Sequence, residues 1–193
     1  MRELRETILR QGQCVGDSIV KVDMFLNHRL DTRLMFAIGR ELADYFGKDK
    51  PDIVLTVEAS GIALALAAAH FLDDIPVVFA KKSPAANQSA DMLTAVAHSF
   101  THGNDNALRV DRRYLPAGSR VLVVDDFLAD GEASRALISI VEQAGCTLVG
   151  VGIAVEKGFQ PGGRKLREAG VNLKSLAIVT SIQDGRIQLA DDD

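Results

Sequence analysis

Short runs of consecutive aliphatic residues, spaced by stretches long enough for a helix, most constrain what this chain can become. Ile53-Val54-Leu55-Thr56-Val57, Pro76-Val77-Val78-Phe79-Ala80, Val121-Leu122-Val123-Val124 and residues 148–155 lack the apolar–polar alternation of a half-exposed strand. Unbroken runs of this kind, rich in β-branched residues, mark strands buried on both faces. Residues 61–72, 131–144 and 164–169 read as helices between them, and 175–180 as a closing strand. Strand and helix in alternation imply right-handed crossovers and a parallel sheet flanked by helices, an α/β fold. Ahead of the first buried strand, Arg2 to Gln11 predicts a short helix ended by Gly12. A second helix is predicted over 33–46, because Leu34, Ile38, Leu42 and Tyr45 recur at helical spacing; Asp31 or Thr32 caps it and Gly47 closes it.

The 193 residues fit one domain, or one domain with a small appendage, and 47% hydrophobic content excludes disorder of the whole chain. Trp is absent and aromatics make up 5%, so the core should be mainly aliphatic. Basic residues number 22 against 26 acidic, a net charge of −4, which argues against a nucleic-acid partner. Phosphorylated small molecules stay open, since a few local groups suffice to bind them. The longest apolar run, 62–72, is interrupted by His70 and too short to cross a membrane. Met1-Arg2-Glu3-Leu4-Arg5 lacks the apolar segment of a secretory signal. Cys14 and Cys146 have no Cys-x-x-Cys partner, so free thiols and a cytoplasmic location are expected. Among the four histidines only His98 and His102 stand at a metal-like spacing, and their Ser and Thr neighbours argue against a zinc helix.

The segment 121–133, Val-Leu-Val-Val-Asp-Asp-Phe-Leu-Ala-Asp-Gly-Glu-Ala, concentrates the chemistry. A buried strand delivers Asp125 and Asp126 at its carboxyl end, then a small-residue turn, then a helix. In open parallel sheets ligands bind beyond those strand ends. Amides at the turn and helix start suit a phosphate, and Gly131 permits close backbone approach. The two acids accept hydrogen bonds from hydroxyls or attract a cation, but repel a bare phosphate. A sugar phosphate satisfies both halves; the plainer alternative is that the acids end the strand and cap the helix. No Gly-x-x-x-x-Gly-Lys-Ser/Thr motif occurs, nor a Gly-x-Gly-x-x-Gly after a strand. Residues 82–113 form a long polar insertion with a strand-like 93–100, readable as a functional lid or as a surface hairpin.

The 121–133 segment resembles the phosphoribosyl-pyrophosphate (PRPP) signature of the type I purine phosphoribosyltransferases. Residues 20–28 (VKVDMFLNH), 57–63 (VEASGIA), 77–82 (VVFAKK) and 152–162 (GIAVEKGFQPG) extend the resemblance, in order, from about Leu4 to Leu189. Together they are similar to the xanthine phosphoribosyltransferases. The resemblance implies a parallel sheet flanked by helices in one domain, residues 1–193. Residues 1–50 and about 156–193 would form a base-binding hood, and about 82–113 a mobile lid.

It implies that Asp125 and Asp126 hold the ribose hydroxyls of PRPP and that Ala129, Asp130, Gly131, Glu132 and Ala133 surround its 5-phosphate. Relatives often carry Asn at the Asp130 position and a neutral residue at that of Glu132. Amides facing the phosphate, with both carboxylates turned away, are therefore expected here. Ser60 and Gly61, in Glu58-Ala59-Ser60-Gly61, match the pyrophosphate loop, with Lys81 or its neighbour Lys82 adding a cation. Val20, Asn27, Lys157 and Phe159 correspond to the xanthine site. The implied reaction converts xanthine and PRPP to xanthosine 5′-monophosphate and pyrophosphate in purine salvage. Mg²⁺ would be held mainly by PRPP and water, so no metal ligand is named. A homodimer without nucleic-acid or membrane partners is implied. The rivals are a guanine/hypoxanthine enzyme and a non-catalytic PRPP-binding regulator of the same fold.

Overall fold

The computed structural model describes residues 1–83, 91–98 and 105–191. Helix α1 (Arg2–Gln11) buries Leu4, Thr7 and Ile8, and the amide of Gly12 closes it on the Ile8 carbonyl. Strands β1 (Gln13–Val15) and β2 (Ile19–Lys21) form an antiparallel hairpin, followed by a π-helical turn at Asp23–Asn27. Helix α2 (Thr32–Phe46) is capped by Asp31, whose carboxylate accepts from the Leu34 amide at 3.1 Å. Then come β3 (Ile53–Val57), α3 (Gly61–His70), β4 (Val77–Ala80), β5 (Met92–His98) and β6 (Asp105–Asp111). The chain ends with β7 (Arg120–Leu128), α4 (Glu132–Gln143), β8 (Thr147–Lys157), α5 (Gly162–Glu168), β9 (Leu173–Gln183) and β10 (Arg186–Leu189).

The main sheet runs β10-β9-β8-β7-β3-β4, parallel throughout except for β10, which pairs antiparallel with β9. Side chains alternate across it, which explains the unbroken apolar runs. Leu122 and Val124 pack with Ile38, Leu42 and Leu64 of α2 and α3. Val121 and Val123 pack with Leu137 and Ile140 of α4, Leu166 of α5, and Leu93 and Leu108 of the β5–β6 hairpin. Both faces are therefore covered, as the sequence predicts.

Several element bounds differ from the sequence expectation. Strand β7 does not stop at Val124: Asp125, Phe127 and Leu128 continue to pair with Ile153, Val155 and Glu156 of the longer β8. The acids thus sit within the strand's last turn of pleat, not beyond it. Strand β10 has only four residues with an alternating pattern, and Asp184 and Gly185 reach it through φ of 50° and 71°. Two successive positive φ values are what a two-residue hairpin turn requires. Within the insertion, Met92–His98 and Asp105–Asp111 pair antiparallel. Residues 84–90 and 99–104, including His102 and the end of the predicted 93–100 strand, lie outside the described residues, as do 192–193.

Helices α2 and α3 meet backbone to backbone. A Cβ on Gly39 would collide with the Ala67 carbonyl and stand 2.7 Å from the Ala68 nitrogen. Gly39→Ala should therefore lower stability by about 1–3 kcal/mol through overpacking. In an uncrowded helix the same change would gain about 1 kcal/mol. Urea unfolding decides: a raised midpoint would contradict the close helix contact.

Candidate active site

The chain leaves β3 toward β4 on one side, and places β7 on the other. The carboxyl ends of β3 and β7 therefore flank a topological switch point, where an open sheet leaves a crevice. A cleft of ≈ 260 Å³ lies there. After β3 it is lined by Glu58 and Ser60, and at the end of β7 by Asp125, Asp126 and the turn through Ser134. Ala97 and Leu108 of the β5–β6 hairpin and Lys82 complete it. A larger cavity of ≈ 590 Å³, lined by Arg135, Leu148, Lys165 and Asn172, lies near the start of β8, away from these loops. Volume alone does not locate the chemistry.

Asp125 and Asp126 are 5% and 7% exposed. The Asp126 amide donates to Asp125 Oδ1 at 3.0 Å, and Asn27 Nδ2 donates to Asp126 Oδ2 at 3.2 Å. Burial pushes the Asp125 carboxyl well above its ordinary 3.8, and the Asp126 charge pushes the same way; Lys82 opposes them. Gly61 opens α3 against this group: a Cβ there would strike Thr56 Oγ1 and stand 3.0 Å from Asp125 Oδ1. The Thr56 hydroxyl is buried without a hydrogen-bond partner among the described residues.

The turn after β7 is built for small residues. Gly131 takes φ +84°, a left-handed conformation that favours glycine. Glu132 turns to Arg135, Oε1 to Nη1 3.0 Å, while the Asp130 charge acts on Lys157. Across the cleft, the Glu58–Ala59 peptide is cis, and Glu58 Oε1 accepts from the Lys82 amide at 2.6 Å. Lys82 lines the cleft, whereas Lys81 does not; the Lys81 backbone is bridged to Arg109 instead.

The four residues assigned to a base lie outside the cleft's lining. Two are tied to it. Asn27 reaches Asp126, and Lys157 Nζ sits 5.8 Å from the Phe127 ring centroid while donating to the Ser18 carbonyl at 3.4 Å. Partial burial lowers the Lys157 pKa, and Asp130 opposes the shift. Val20 is 6% exposed within the core, and Phe159 is 37% exposed just after β8. Glu58 and Phe127 lie within quoted motifs, but sequence reasoning gave them no role. Their parts depend on contacts with Lys82 and Lys157, which only folding brings near.

A carboxyl whose pKa rises on folding favours the fold while protonated; that contribution is complete below the ordinary range and is lost as pH rises through the raised value. Asp125→Asn keeps the shape without the charge. Its melting temperature should exceed that of the parent at alkaline pH, with the gap shrinking as pH falls toward 4. Thermal melts across that range test this, and a gap independent of pH would contradict the buried charge at Asp125.

Comparison with known proteins covers nearly the whole chain. The phosphoribosyl transferase domain family matches residues 27–184. Xanthine phosphoribosyltransferase 1 of Clostridium perfringens is 45% identical over 187 residues, 97% of this chain and 98% of that protein. Xanthine phosphoribosyltransferase of Clostridioides difficile is 45% identical over 188 residues, covering 97% and 99%. In fold, the chain is similar to the crystal structure of adenine phosphoribosyltransferase from Rhodothermus marinus, with a TM-score of 0.74 at 23% identity over 93% of this chain and 100% of that one. A switch-point cleft floored by two buried acids, in a chain matched at this length and identity, leads to one assignment: it belongs to the phosphoribosyl transferase family.

Proposed function

We propose that the protein transfers the 5-phosphoribosyl group of PRPP to N9 of xanthine, giving xanthosine 5′-monophosphate and pyrophosphate in purine salvage. The observation that carries this reading is the Asn27–Asp126 hydrogen bond, which joins a base-side turn to the ribose-side acids. A carboxylate only accepts, so the Asn27 amide must donate to it. Its second N–H and its carbonyl oxygen then remain for the 2-oxo group and an adjacent ring N–H of xanthine. Lys157, close to Phe127, donates to the 6-oxo oxygen, where adenine would present a donor instead. Phe159 covers the purine face, and Val20 backs the pocket.

In this reading Asp125 and Asp126 accept from the ribose hydroxyls, and the amides of 129–133 receive the 5-phosphate. Ser60, Gly61 and Lys82 face the leaving diphosphate. Bond breaking at the anomeric carbon develops oxocarbenium character, as in glycoside hydrolysis. Fixed charges and alignment of N9 then do more than any single acid or base. The two adjacent carboxylates that line the cleft suit Mg²⁺ bound mainly through PRPP and water. When bound, the ion neutralises charge on the diphosphate. The insertion 82–113, whose Ala97 and Leu108 line the cleft, acts as the lid that excludes water. Residues 1–50 and about 156–193 supply the hood. No helix among the described residues is long and apolar enough to cross a membrane, and both cysteines are free. The working form in this reading is a cytoplasmic homodimer, with the exposed Phe36 and Leu66 available for self-association.

A purine panel with PRPP and Mg²⁺ tests the function: xanthine should be preferred over guanine and hypoxanthine, with adenine inert. A preference for guanine would select the rival transferase, and no turnover of any base the regulator. Asp125→Asn with Asp126→Asn should abolish most turnover at saturating PRPP while the protein stays folded; near-normal initial rates would remove the ribose role. Lys157→Ala should cost about 1–3 kcal/mol in kcat/KM for xanthine, the worth of one charge-assisted hydrogen bond. Unchanged kcat/KM would overturn its contact with the 6-oxo oxygen.

A further inference from the structure

The turn at 129–131 rests on the backbone of another element. The Gly162 amide donates to the Ala129 carbonyl at 3.0 Å. A Cβ on Gly162 would collide with that carbonyl and stand 2.6 Å from the Gly131 nitrogen, and one on Gly131 would stand 3.0 Å from Gly162 Cα. The start of α5 is therefore a floor beneath the turn, with no room for a side chain between them.

That floor is fixed by a charge inside the protein. Glu156, 3% exposed near the end of β8, receives Arg167 of α5 through both oxygens, at 2.8 and 2.7 Å. Ser175 of β9 donates to the same carboxylate at 2.5 Å. A Cβ on Gly163 would overlap Glu156 Oε1 and stand 2.7 Å from Arg167 Nη1, so the carboxylate passes directly beside the α5 backbone. A two-pronged guanidinium–carboxylate pair constrains direction as well as distance. Buried pairs of this type often add little net stability over apolar side chains of similar volume. What an apolar replacement cannot reproduce is the fixed orientation.

We propose that Glu156 and Arg167 are positioning residues whose ion pair locks α5 to β8 and so sets the height of the 129–133 turn under the 5-phosphate of PRPP. The proposal rests on the reading of that turn as the phosphate site. A shift of about 1 Å in such a turn can cost on the order of a hundredfold in rate. Lys157 follows Glu156 in the strand and points to the opposite side, toward Phe127 and Ser18, so base recognition is spared.

The test uses the full chain and two probes that divide PRPP between them, ribose 5-phosphate and pyrophosphate with Mg²⁺. In the double variant Glu156→Leu/Arg167→Met, calorimetric affinity for ribose 5-phosphate and kcat/KM for PRPP should each fall at least about tenfold. Pyrophosphate affinity and KM for xanthine should stay within about twofold, and the melting temperature close to the parent's. Arg167→Lys keeps the charge without the fork and should fall between the two. Arg164→Met, which removes the exposed 3.5 Å pair with Glu168, should change none of these. Undiminished ribose 5-phosphate binding in a folded double variant overturns the proposal, and so does an equal loss of pyrophosphate binding, which would mark general loosening. Gly131→Ala separates the two levels. If it weakens ribose 5-phosphate binding while the double variant does not, only the positioning role fails. If neither weakens it, the phosphate reading of the turn fails as well.

Discussion

Two carboxylates buried side by side at the end of a central strand set the terms for the surrounding structure. Burial disfavours a charged carboxyl, and a second one next to it disfavours it further. The fold answers with donors from different directions: the Asp126 amide, the Asn27 side chain and the nearby Lys82 charge. It also keeps α3 from crowding the site, since Gly61 leaves no Cβ beside Asp125. A stability-optimised sheet would have carried Val or Ile at these positions. The cost falls where β7 and β3 diverge, at the mouth of the switch-point cleft.

The rest of the molecule supplies rigidity around that liability. Leu122 and Val124 lock β7 to α2 and α3, and Val121 and Val123 lock it to α4 and the β5–β6 hairpin. The acids are therefore presented from a strand held on both faces, which gives less positional scatter than a loop would allow. Beyond them the chain turns at Gly131 directly onto Gly162, so two glycine contacts join the β7 and β8 halves of the site.

Much of this was legible in the sequence because buried parallel strands leave an unbroken apolar signature. The runs at 53–57 and 121–124 gave the sheet, and the adjacent acids with their small-residue turn gave the cleft. The extension of β7 through Asp125 and Asp126 was not legible, because charge interrupts the pattern that identifies a strand while β8 continues to pair with it. Strand β10 was missed as a four-residue edge, although Asp184-Gly185 is a turn signal. Lys82 could not be separated from Lys81, since adjacent residues in extended chain point to opposite sides and no local pattern says which side faces the cleft. The Glu156–Arg167–Ser175 cluster spans two strands and a helix, and no periodicity encodes a contact of that kind.

The bridge between Lys81 and Arg109 ties the root of the β5–β6 hairpin to the segment that carries Lys82, through main-chain hydrogen bonds of 2.9 and 3.0 Å. Any swing of the hairpin about its root therefore drags the neighbouring ammonium group along. Ala97 and Leu108, which wall the cleft, and the Lys82 ammonium beside them would then shift as one unit, so cover and cation are mechanically coupled through the main chain.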